Sequence, residues 1–205
     1  MQRPLLSIIS RLAQQKGIDL IEKIFEKLLK EDIYFILLGK GSLSYEKFFL
    51  RMEKKYLQKF RTNILFDEKL AHQIYAGSDI FLMPSYFEPC GLGQQIAMKY
   101  GTIPVARAVG GIKDTIKNSK VKSPARPCLP NRQAAGGQGS KVIVKGERFL
   151  FKKYNSEEFF KTIKRALKTY RNQEVWRKLQ INEMKKDFSW RKSAKEYLKL
   201  YKKLK

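Results

Sequence analysis

Cysteine, histidine and acid are the scarce residue types in this 205-residue chain: two Cys, one His, and 19 Asp plus Glu against 43 Lys plus Arg. Cys90 and Cys128 are too few for a disulfide framework and have no metal-ligand spacing, so no metal is expected and a reducing compartment fits. No basic residue or histidine lies beside Cys90 in sequence, which makes it a small packed residue rather than a nucleophile. The lone His72 falls on the helix expected after Phe66 and reads as a surface or helix-packing group. No apolar run reaches membrane length, and Met1-Gln2-Arg3-Pro4 leads into no signal-type segment, so a soluble, cytoplasmic protein is expected.

The chain does hold enough apolar residues, 43% with 12% aromatic, for a globular core, and its length suits one domain spanning 1–205. Its formal charge of +24 creates a positive field that attracts polyanions. Many of the cations lie in 117–153 and along 161–205, where Lys164, Lys168 and Arg171 read as a solvated helix face. A nucleic-acid-binding reading would need a recognisable module or a basic stripe with stacking aromatics, and neither is present.

Short apolar runs alternate with helical spacing. Strands are expected at Leu5–Ile9, Ile33–Leu38, Asn63–Phe66, Ile80–Met83 and Ile103–Ala106. Helices are expected at Ile18–Leu29, Tyr45–Phe60, Glu68–Ala76 and Leu92–Tyr100. Such alternation specifies an α/β, doubly wound, Rossmann-like parallel sheet, and the continuously apolar Phe35-Ile36-Leu37-Leu38 and Ile80-Phe81-Leu82-Met83 suit strands covered on both faces. Ligands bind such sheets at the carboxyl ends of the strands, so the loops after Ile9, Leu38, Phe66, Met83 and Ala106 are where chemistry is sought. Residues 118–147, rich in Pro and Gly, read as an atypical loop or insertion. A helical tail over 155–205 follows, with helices at Ser156–Tyr170, Glu174–Met184 and Trp190–Leu204.

Three of those loops carry unusual residues. The first, Ser10 to Gly17, sets Arg11 and Lys16 just before a helix whose amino end is partly positive, an arrangement able to clamp a diphosphate. The second, Pro84 to Gln95, contains Glu88, which either caps the next helix or accepts hydrogen bonds from sugar hydroxyls, and Gly91 to Gly93, which expose backbone N–H groups. The third contains Gly110-Gly111, where a ligand could approach the backbone closely.

Taken together, Ser10-Arg11-Leu12 with Lys16-Gly17, Phe66 with Ile74-Tyr75-Ala76-Gly77-Ser78-Asp79, Glu88-Pro89-Cys90-Gly91-Leu92, Tyr100-Gly101-Thr102-Ile103-Pro104 and Gly110-Gly111-Ile112 resemble the glycogen and starch synthases in kind and order. Asp187-Phe188-Ser189-Trp190 extends the resemblance into the tail. It implies the C-terminal half of a two-domain GT-B glycosyltransferase. The expected activity is retaining transfer of glucose from ADP-glucose to the non-reducing end of α-1,4-glucan, without a cofactor beyond that substrate. The family's N-terminal acceptor domain is absent from the chain, so binding of ADP or ADP-glucose is expected, and elongation by this piece alone is not. In a plant or alga the location would be the plastid.

The resemblance also implies roles. Arg11 and Lys16 neutralise the departing diphosphate, Glu88 contacts the glucose, and Phe66 presents its ring to adenine. Cys90, Gly91, Leu92, Gly93, Gly110 and Gly111 surround the nucleotide sugar. Gly93 stands where some members carry Thr, and Ile96 where many related retaining transferases carry a second Glu. The latter absence fits the bacterial glycogen synthases and argues against the rival reading, a GT-B transferase of sucrose or trehalose-phosphate type using a UDP-sugar.

Overall fold

Each apolar run is too short to be covered alone, so the helix after it crosses back over the growing sheet and brings the next strand in parallel. In a computed structural model that describes residues 3–116, 120–122, 143–145 and 149–203, the strands are β1 (Leu5–Ile9), β2 (Tyr34–Leu38), β3 (Phe60–Asn63), β4 (Ile80–Met83), β5 (Ile103–Arg107), β6 (Lys120–Lys122), β7 (Ile143–Lys145) and β8 (Phe149–Phe151). Six of them form one parallel sheet in the order β3-β2-β1-β4-β5-β8. The doubly wound expectation holds. The winding direction reverses between β1 and β4, the position in such sheets where the loops after the two strands carry the ligand site.

The helices are α1 (Ile18–Leu29), α2 (Leu43–Lys55), α3 (Glu68–Gly77), α4 (Gly93–Lys99), α5 (Ile112–Thr115), α6 (Ser156–Tyr170), α7 (Gln173–Met184) and α8 (Trp190–Lys203). On α1 the buried set Ile18, Ile21, Ile24, Phe25, Leu28 and Leu29 recurs at helical spacing and faces the sheet. Asp67 caps α3 by accepting from Leu70 N–H at 2.9 Å, and Asn155 caps α6 by accepting from Glu157 and Glu158 N–H. Lys164 of α6 pairs with Glu31 at 2.7 Å, as a solvated face would.

Four expectations need correction. β3 begins at Phe60 rather than Asn63, and α2 stops at Lys55 rather than running on to Phe60. Phe60 is the residue that pairs with Phe35 and is buried under the Phe25 ring. The more apolar Ile64-Leu65-Phe66 instead runs past the sheet edge, with Leu65 and Phe66 exposed. Within 118–147, read as irregular, β6 and β7 pair antiparallel; the rest of that stretch, Cys128 included, lies outside the described residues. Cys90, expected to be packed, is exposed.

His72 sits on the exposed face of α3, its Nδ1 3.0 Å from the Tyr100 hydroxyl. Among the described residues no helix is long and apolar enough to cross a membrane.

Candidate functional site

At the carboxyl edge the loops after β1, β2, β4 and β5 are fastened to one another by backbone hydrogen bonds. Leu12 N–H donates to Lys40 O at 3.0 Å and Ser42 N–H to Leu12 O at 2.8 Å, joining the first two. Gln14–Lys16 then make one 3-10 turn that ends at Gly17, whose φ of +74° is left-handed. A Cβ on Gly17 would lie 2.2 Å from the Pro84 carbonyl oxygen, so only glycine lets the two loops touch. Tyr86 N–H completes the junction by donating to Gln15 O at 2.9 Å.

That junction delivers two residues 72 positions apart to one point: Lys16 Nζ stands 2.6 Å from Glu88 Oε2. Ser85 Oγ donates to the same oxygen at 3.3 Å. Glu88 is buried, and a carboxylate out of water requires such partners. Glu88 therefore does not cap α4, whose amino end carries no side-chain cap.

The loop after β5 closes over the far side of the turn. Gly111 N–H donates to Pro89 O at 3.0 Å. A Cβ on Gly110, at φ +46°, would come within 2.0 Å of the Glu88 carbonyl oxygen. The close approach that this glycine pair permits is thus to the 88–90 backbone itself, where the sequence suggested a ligand. Cys90 contributes its Cα to that contact, 2.8 Å from where a Gly111 Cβ would stand, while its thiol is exposed.

Around the pair stand the other expected residues. Among the described residues, the backbone N–H groups of Gly91, Leu92 and Gly93 donate to no acceptor; Leu92 is exposed and Gly93 half-buried, while Gly91 is buried. Space beside Gly93 is taken: a Cβ there would meet Phe81 at 3.2 Å and the Tyr75 hydroxyl at 3.3 Å, which accounts locally for glycine at this position. Burial pushes the Tyr75 phenol up to about 12, so that hydroxyl stays neutral. Phe66, after β3, is 92% exposed, an uncovered ring at the same edge. Arg11 is exposed, makes no ion pair among the described residues, and lines a neighbouring cleft of about 590 Å³ with Lys40, Glu22, Ser42 and Tyr45. The structure joins Lys16 to Glu88 and sets Arg11 in the adjoining cleft, whose lining does not include the 88–93 turn. Among the described residues no group of His, Cys, Asp and Glu could hold a metal ion.

Three comparisons bear on this edge. Residues 1–135 match the family model described as glycosyl transferases group 1. The chain belongs to that family. This glycosyl transferase is 43% identical over 199 residues to a glycogen synthase of Kosmotoga olearia, and 43% identical over 201 residues to one of Bacillus cereus. The matches cover 97% and 98% of this chain but 38% of each relative. The catalytic domain of starch synthase IV from Arabidopsis thaliana, solved bound to ADP and acarbose, superposes with a TM-score of 0.76 at 34% identity, over 98% of this chain and 38% of that one.

Sequence reasoning passed over two groups of this glycosyl transferase's site. Ser85 lies in the Pro84 to Gln95 loop with nothing in its local sequence to single it out, and its hydroxyl reaches Glu88. Arg107, the one charged residue of β5, ends its strand beside the Ser85–Tyr86 turn. A lone cation closing a buried apolar strand is the signal that could have marked it.

Proposed function

We propose that this chain is the donor-binding part of a retaining glucosyltransferase that passes glucose from ADP-glucose to the non-reducing end of α-1,4-glucan, needing no cofactor beyond that substrate. The observation that carries the reading is the Lys16–Glu88 contact of 2.6 Å at the carboxyl edge, where the strand order reverses. A diphosphate-linked sugar presents two chemistries side by side, an anion and a set of hydroxyls. A cation beside a carboxylate, with free amides at 91–93, answers both.

When the bond from the anomeric carbon to the diphosphate breaks, negative charge grows on the departing ADP. Fixed cations stabilise that charge more in the transition state than in the ground state. Lys16 supplies one cation and Arg11, from the next cleft, a second. Glu88 accepts hydrogen bonds from glucose hydroxyls, and until ligand arrives it holds the Lys16 ammonium at the carboxyl edge. The exposed ring of Phe66 offers a stacking face for adenine. The α-1,4-glucan is held by the part of the enzyme that corresponds to the remaining length of the relatives, so the chain by itself binds donor without elongating glucan.

Support for this choice of donor and acceptor comes from the 43% identity to glycogen synthases and from the ADP in the starch synthase IV structure. Calorimetric titration with ADP, ADP-glucose and UDP-glucose tests it. ADP and ADP-glucose should bind, with UDP-glucose weaker. Equal or tighter binding of UDP-glucose would move the reading to a UDP-sugar transferase, and no heat from any of the three would sink it.

A further inference from the structure

Arg107 makes no ion pair among the described residues. Its guanidinium is spent on carbonyls instead. Nη1 donates to Tyr86 O at 2.7 Å and to Ser85 O at 3.4 Å, and Nε donates to Lys152 O at 3.3 Å. The rings of Tyr86 and Tyr154 flank it at 5.8 and 5.3 Å, and those rings meet edge to face at 5.0 Å. Tyr154 in turn donates its hydroxyl to the Asp19 carboxylate in the first turn of α1 and lies 3.4 Å from Gln14 O. Arg107, at the end of β5, thus binds the segments that follow β4 and β8, and Tyr154 beside it reaches the segment that follows β1.

The residues held this way bracket the Lys16–Glu88 contact on both sides. Ser85 and Tyr86 precede Glu88 by three and two positions, and Gln14 and Gln15 lead directly into Lys16. Tyr86 N–H, donating to Gln15 O, closes the ring of contacts. We propose that Arg107 is a positioning residue of the donor site, fixing the 85–88 turn so that the Glu88 carboxylate stands against Lys16 and toward the sugar. The assignment rests on the donor-site reading above and adds to it the group that holds the carboxylate in place. A planar guanidinium can donate along two edges while lying between two rings, and an ammonium cannot. Lysine at this position would keep the charge and lose the geometry.

Two measurements on Arg107→Lys decide the matter. The first is made without ligand: the carboxyl ¹³C resonance of Glu88, compared with that of the parent chain at equal thermal midpoint, should shift. The second is the ratio of ADP-glucose to ADP affinity, which should fall about threefold or more, since one or two hydrogen bonds to the sugar are misplaced. Tyr154→Phe, which keeps the ring and breaks only the link to Asp19 and Gln14, should move both in the same direction by less. It serves if the lysine variant fails to fold. Equal weakening of ADP and ADP-glucose with an unmoved Glu88 resonance would overturn the proposal, because Arg107 would then be touching the diphosphate directly. Unchanged values for both variants would overturn it as well. Should the parent chain bind neither nucleotide, the donor-site reading falls, while the ligand-free resonance still decides whether Arg107 positions Glu88.

Discussion

The two sides of the sheet are built from different materials. Under β3, β2 and β1 the core is aromatic: Phe25 meets Phe35, Phe48, Phe49 and Phe60 edge to face, with centroids 4.8 to 5.8 Å apart. Under β4 and β5 a second cluster holds Tyr75, Phe81, Met83, Ala97, Met98, Ala106, Ile112 and Ile116, smaller or more pliable side chains for the most part. Above that second cluster the loops are held by glycine contacts, single backbone bonds and the Lys16–Glu88 pair. Burial of large rings fixes the first region as a whole, and individual polar links fix the second point by point. Stability and donor-site geometry should therefore separate under mutation.

The largest expected effect breaks the aromatic side alone. Phe25→Ala empties the centre of the ring cluster and should cost about 3–5 kcal/mol in denaturant unfolding. The fraction that stays folded should keep the ratio of ADP-glucose to ADP affinity. A changed ratio would mean that the two regions are coupled. Lys16→Ala does the opposite: ADP affinity should fall about tenfold or more, and in a full-length enzyme turnover should fall about a hundredfold, the usual cost of losing one electrostatic donor. Near-parent affinity would remove Lys16 from the site. Gly110→Ala bridges the two classes, because a Cβ 2.0 Å from the Glu88 carbonyl must push the turn aside. Unfolding should lose about 1–3 kcal/mol, and donor affinity should fall with it.

The same contrast decides what could be read from sequence. Strands covered on both faces are apolar end to end, so Tyr34–Leu38 and Ile80–Met83 stood out within a residue of their observed limits. β3 did not, because Phe60 is its one large apolar residue among Arg61, Thr62 and Asn63, while the more apolar Ile64-Leu65-Phe66 belongs to the loop beyond. Lys16 and Glu88 were legible singly, as a cation before a helix and a carboxylate in a glycine-bearing turn. Their contact was not, since it depends on Gly17 seating against Pro84 across 66 intervening positions of chain that no local pattern encodes. Gly110-Gly111 shows the remaining gap: glycine announces a close approach and leaves open to what.

The smallest expected effect lies at the opposite end of the sheet from the donor loops and involves Asp79, just before β4. Burial raises its carboxyl above the ordinary 3.8, only partly offset by the Leu5 N–H, which donates to Oδ2 at 2.9 Å, and by the Tyr170 hydroxyl. A raised folded-state value means that the folded chain holds this proton more tightly than the unfolded one. The stability it contributes is fully present below about 3.8 and is lost as pH rises through the folded-state value. Asp79→Asn keeps an oxygen for Leu5 N–H and carries no charge to bury, so thermal midpoints of variant and parent should converge below pH 4 and separate toward neutrality in the variant's favour. The donor-affinity ratio should not move. A variant less stable than the parent at neutral pH, with the gap widening as pH rises, would mean that the two hydrogen bonds to the charged form outweigh its burial.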